Sequence, residues 1–74
     1  MPHVSIKHFP ADLDADRRSR LVEAVAAAVQ SAFGCDDGAI SIALEAVEPA
    51  AWQDRVYGPE IQDRKHLLAK VPRY

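Results

Sequence analysis

Apolar and polar positions alternate from Val4 to Phe9, placing Val4, Ile6 and His8 on one face and His3, Ser5 and Lys7 on the other, the period of a β-strand. Pro10 ends it. The period then changes. Leu21, Val22, Val25, Ala28, Val29, Ala32 and Phe33 recur along one face of a helix, while Arg17, Arg18, Arg20, Glu23 and Gln30 fall mostly elsewhere. Asp12 or Asp14 supplies the N-cap, Asp16 suits the positive end of the helix dipole, and Gly34 closes the helix in a left-handed conformation. After the turn at residues 35–38, Ile40, Ile42 and Leu44 alternate with Ser41, Ala43 and Glu45 in a second strand within residues 39–47. Strand, helix, strand with one crossover predicts an α/β fold built on a parallel β-α-β unit, right-handed in its connection.

The last third is less regular. Residues 49–52, Pro-Ala-Ala-Trp, read as a short turn or 3₁₀ segment. Gly58-Pro59 predicts a short C-terminal helix with Pro59 at its first position, and Pro72 stops it. Ile61, Leu67 and Leu68 give this helix only a partial apolar stripe, which suits an element that covers a neighbour. No repeat or low-complexity segment interrupts the chain, and residues 1–74 read as one domain.

Size changes the picture. Seventy-four residues bury only a modest core, and a two-stranded sheet does not stand alone, so the sheet is expected to be completed by oligomerisation. No disulfide compensates, because Cys35 is the only cysteine. That, together with the absence of a signal-peptide pattern, points to the cytoplasm. No apolar run approaches the ~20 residues of a membrane span. Nine basic and eleven acidic side chains argue against general nucleic-acid binding.

The candidate chemistry lies at the start. Proline after the initiator methionine is a small residue, so removal of Met1 is expected to leave Pro2 with a free secondary amine. An α-amino group starts near pKa ~7.7–8.0 against ~10.4 for lysine, which makes it the amine in the chain most easily brought to its neutral form. Proline is somewhat more basic, so burial has to lower it. The ring restricts where the nitrogen points, giving a rigid mount for a general base. With Met1 retained the same atom is an amide and no base, and Pro2 simply opens a strand.

Other side chains offer less. His3, His8 and His66 lack the spacing of a metal site, Cys35 has no activating neighbour in sequence, and neither a phosphate loop nor a serine triad is present. His3 reads as structural. Arg17, Arg18 and Arg20 read as a solvated helix face, Arg73 as surface, and Arg55 as surface or as a cation one turn past Trp52.

The start at Pro2-His3-Val4-Ser5-Ile6-Lys7, the strand Ile40-Ser41-Ile42-Ala43-Leu44-Glu45, and Pro49 with Trp52 beyond it together resemble the tautomerase superfamily. Within it the chain is similar to the short 4-oxalocrotonate tautomerase-like branch, closest to its PptA-type bacterial group. The resemblance spans nearly the whole chain. It implies an isomerase without metal or organic cofactor, acting on a small-molecule 2-oxo acid or its enol. The N-terminal proline is the acid and base, and an aromatic residue, here Trp52, keeps the pocket apolar. Many members also grip a substrate carboxylate with two arginines; at the places where these are sought the chain has Asp12 and Ser41. An apolar pocket shaped by Trp52 and Phe9 is then expected, suiting an aryl enolpyruvate, with Ser41 or a nearby backbone N–H as partner of the substrate oxygen. The resemblance also implies a homo-oligomer, a dimer in preference to a hexamer. Hydration, dehalogenation and decarboxylation occur on the same scaffold. A non-catalytic oligomeric β-α-β protein is the alternative that the two missing arginines favour.

Overall fold

The computed structural model describes residues 1–74 and contains β1 (His3–His8), α1 (Ala15–Phe33) and β2 (Ser41–Ala46), followed by a largely helical last third. The two strands are parallel and in register from His3 opposite Ser41 to His8 opposite Ala46. Each strand alternates as its sequence predicts: Val4, Ile6, Ile42 and Leu44 are half-buried, while His3, Ser5, Ser41, Ala43 and Glu45 face outward. The first strand is shifted by one residue from the predicted span. Phe9 precedes Pro10, which cannot donate to a ladder, and the ladder closes one step earlier, where the Val47 N–H donates to the His8 carbonyl at 2.8 Å.

Asp14, not Asp12, caps α1: its carboxylate accepts from the Arg17 backbone N–H at 2.8 Å. At the other end Gly34 has φ 64°, and its N–H donates to the Gln30 carbonyl at 2.9 Å, an arrangement that a side chain would strain. Val22 shares a hollow with Ile42 and Val29 one with Val4, and as the crossover between two parallel strands the helix returns antiparallel to them. Its far end is uncovered. Ala28, Ala32 and Phe33, predicted to belong to the buried stripe, are exposed, Phe33 by 72%.

The last third corrects the predicted helix start. The helix begins ten residues early, with Pro49 rather than Pro59 in the first turn, and residues predicted as a turn form α2 (Pro49–Trp52). It continues without a break into α3 (Gln53–Gln62), whose turns are wide, with i→i+5 hydrogen bonds such as the Asp63 N–H to the Gly58 carbonyl at 3.0 Å. Pro59 sits inside this segment rather than at its start. Backbone approaches closely here: a Cβ on Gly58 would lie 3.2 Å from the Gln53 carbonyl oxygen. The helix also ends before Pro72, with a single 3₁₀ turn at Lys65–Leu67 between.

Two ion pairs tie α3 to the outer sheet face, Lys7 to Glu60 at 2.6 Å and Arg55 to Glu45 at 2.7 Å. They fix its place more than they stabilise it, since such partly exposed pairs contribute about 0–1 kcal/mol. Only Val47 and Val56 are buried, at 1% and 5% exposure. The radius of gyration, 13.9 Å, exceeds the ~11 Å of a compact chain of this length. A sheet of two strands, an uncovered helix end and a two-residue core describe one part of a larger assembly. No helix is long and apolar enough to cross a membrane.

Candidate active site

Pro2 stands at the start of β1, where its carbonyl accepts from the Ser41 N–H at 3.2 Å. This bond holds the residue at the sheet's edge before the ladder proper begins. Around it Met1, His3, Val4, Val29 and Phe33 line a hollow of about 370 Å³. The end of α1 forms one wall. Met1 is fully exposed, so its removal forfeits no packing and widens this hollow at the atom that becomes the amine. With Met1 in place, as in this structure, the Pro2 nitrogen belongs to a peptide bond.

Ser41 lies across the sheet from His3, and the His3 Nδ1 to Ser41 Oγ distance is 2.7 Å. The direction of that bond follows the imidazole tautomer. A hydrogen on Nδ1 donates to Oγ and leaves the serine hydroxyl hydrogen free for another acceptor; the opposite tautomer takes that hydrogen for itself. The structural reading of His3 is therefore joined to Ser41.

Phe9 and Trp52 meet at the other end of β1. Their rings pack edge to face, 5.1 Å between centroids and 83° between planes. Phe9 is held by its backbone: the His8 Nδ1–H donates to the Phe9 carbonyl at 2.6 Å, a direction fixed because a carbonyl can only accept. Phe9, Trp52 and Tyr74 line a second hollow of about 460 Å³. All three walls are aromatic. Tyr74 in turn packs against Tyr57, the rings tilted by 40° with centroids 5.8 Å apart.

The expected site residues thus fall into two groups. Pro2 and Ser41 share one end of the sheet, Phe9 and Trp52 the other. Seven residues of extended chain from Pro2 to Phe9 span roughly 23 Å, more than a small 2-oxo acid bridges. Strand length alone carried that information. Tyr74 and Tyr57 were missed altogether, because Tyr57 is five residues from Trp52, a spacing that an α-helix turns roughly 140° away. Among the arginines, Arg55 is engaged by Glu45, and Arg20 lies 3.6 Å from Asp16 on the helix surface. Arg17 reaches back toward the Asp12 carbonyl at 3.4 Å.

A parallel β-α-β unit that leaves its sheet incomplete, with a proline opening the first strand and an aromatic hollow at that strand's far end, defines a small α/β subunit whose sheet calls for further strands. Residues 2–64 match the tautomerase family, described as tautomerase enzyme, and the chain belongs to that family. Curated relatives named Tautomerase PptA agree along the full length. That of Pectobacterium carotovorum subsp. carotovorum is 38% identical and that of Pectobacterium atrosepticum 36%, and the protein of Shigella sonnei is 34% identical. Each comparison covers 100% of this chain and 97% of the relative. The chain is a tautomerase-type isomerase, and its family implies a small-molecule substrate and assembly from more than one chain.

Proposed function

We propose that the protein interconverts the keto and enol forms of a 2-oxo acid carrying an aryl group, with the Pro2 amine of the processed chain as base and acid. The observation that supports this reading is the pair of hollows at opposite ends of β1, one holding Pro2 and the other walled by aromatic rings. In the keto-to-enol direction the Pro2 nitrogen takes a proton from the carbon beside the carbonyl. The C–H electron pair becomes the C=C bond, and the carbonyl oxygen takes the negative charge until it is protonated. Ketonisation starts from the neutral amine: Pro2 takes the enol O–H proton as the oxygen's electron pair forms the C=O bond, and the protonated nitrogen then delivers that proton to the carbon as the C=C pair becomes the C–H bond. The Ser41 hydroxyl, freed when His3 donates to it, is the proposed donor to that oxygen.

The two hollows become one site between subunits. Two copies of a strand related by a two-fold axis pair antiparallel, so joining β1 edges would bring Pro2 toward the Phe9 end of the partner. A dimer with one four-stranded sheet is the simplest closure and is preferred here to a hexamer. In it Pro2 works against the partner subunit's Trp52. Phe33, exposed beside Pro2, gains cover from the same assembly. We place the enzyme in the cytoplasm, where the single thiol of Cys35 stays reduced.

Arginine is absent at both positions where the resemblance seeks it, and Arg55 is paired with Glu45. Affinity then comes from apolar burial rather than from a doubly gripped carboxylate. Phenylenolpyruvate is expected to be ketonised with kcat/KM at least tenfold above that of a dicarboxylate dienol, on the order of 1.4 kcal/mol in transition-state binding. Steady-state kinetics on both enols checks this. Comparable turnover would remove the aryl assignment and leave the isomerase.

A further inference from the structure

The aromatic hollow has a wall that neither the proline chemistry nor Trp52 accounts for. Tyr74 closes it opposite Phe9 and Trp52, yet the residue is 69% exposed and belongs to no helix or strand. Its contact with Tyr57 places it there. Tyr57 reaches that position because α3 is wide: i→i+5 turns bring residue 57 round toward the flank that carries Trp52, at the end of α2. In an α-helix the two rings would diverge. The wide helix, Tyr57, Tyr74 and the hollow therefore form one chain of cause.

We infer that Tyr74, braced by Tyr57, is a specificity-determining wall of an aryl-binding subsite whose other walls are Phe9 and Trp52. The inference rests on the aryl reading above and adds the residues that set ring selectivity. Its ligand is a flat, uncharged ring attached to a 2-oxo acid or to a simple carboxylate. Three facts select that class. The lining is aromatic on all three sides, Phe9 and Trp52 already meet edge to face, and about 460 Å³ accommodates a ring with room for a substituent. A ring entering between Tyr74 and the Phe9–Trp52 pair finds aromatic contact on both sides.

Trp52 is the only tryptophan, so its emission reports on this hollow without a label. The probe is 3-phenylpropionate, which has the ring and carboxylate but no keto group to enolise. Titration of the intact oligomer is expected to change Trp52 emission saturably, and Pro2→Ala is expected to show the same saturable change, since binding of the ring needs no base. Tyr74→Ala weakens that binding on the order of tenfold, Tyr57→Ala weakens it in the same direction, and Tyr74→Phe, which keeps the ring, stays within about threefold of the parent. In turnover, Tyr74→Ala raises KM for phenylenolpyruvate more than it lowers kcat, and narrows the preference for that enol over the ring-free enol of pyruvate. Equal affinity in parent and Tyr74→Ala overturns the inference while leaving the proline mechanism standing. So does a uniform loss on both enols accompanied by dissociation in sedimentation, which would make Tyr74 an assembly contact. No emission response in the parent removes the aryl subsite itself.

Discussion

Replacing Pro2 with alanine is expected to lower kcat for phenylenolpyruvate ketonisation by about 100-fold or more, with KM changed by less than about threefold. Alanine at the same place still leaves an amine, so the loss measures what the ring contributes: a fixed φ and a nitrogen that cannot turn away from the substrate. A chain that keeps Met1 should lose the base completely, since its Pro2 nitrogen is an amide. The fold does not stand in the way of either comparison. Met1 is fully exposed and Pro2 contributes only its carbonyl to the sheet, an atom that alanine retains. Stopped-flow absorbance at the enol band, with mass spectrometry to establish the first residue of each preparation, makes the comparison. Equal rates for parent, Pro2→Ala and the Met1-retaining chain would leave no part for the proline.

Mixing two inactive variants should restore activity. Pro2→Ala takes the rigid mount from the amine in one hollow, and Trp52→Ala removes a wall from the other, so each homo-oligomer has damaged sites throughout. If each site joins Pro2 of one chain to the partner subunit's Trp52, a mixed dimer carries one site with both substitutions and one with neither. Random pairing after joint refolding then gives about a quarter of the parent's intact sites. A site contained in one chain predicts only the average of two low activities. The roughly 23 Å between Pro2 and Phe9 along β1 is the reason to expect the first result. Expression of the pair together and separately, assayed at equal chain concentration, distinguishes them.

Much of the architecture was legible because it follows from local patterns. Alternation at Val4, Ile6, Ile42 and Leu44 placed both strands, and Gly34 marked one helix end by chemistry specific to caps, while the other was narrowed to Asp12 or Asp14, of which the fold uses Asp14. The last third was misread because two prolines competed for one role. Pro49 and Pro59 each suit a first helical turn, and only the wide turns of α3 allow a helix to start at the earlier one and carry the later inside it. A ten-residue run of such turns has no simple signature in residue type. The same blind spot hid Tyr57 and Tyr74, whose relation to Trp52 depends on that geometry. Pro2, Trp52, Phe9 and Ser41 were picked out one by one, but their grouping at two ends of a strand needed an extended chain's length to be counted. The exposed Phe33 and the uncovered end of α1 belong to the assembly, and a single chain's periodicity does not distinguish a face that packs inward from one that meets a second copy.

The central claim concerns the charge on one nitrogen, and ¹⁵N NMR of proline-labelled protein follows it directly. Of the five prolines only an N-terminal one has a titrating amine, so its resonance is separated from four amides. The account predicts a nitrogen that loses its proton below the range of a solvent-exposed proline amine, lowered by the apolar hollow, with kcat/KM rising in step as pH passes through that value. A nitrogen that never titrates, or one that stays protonated across the whole range in which the enzyme is active, would contradict it.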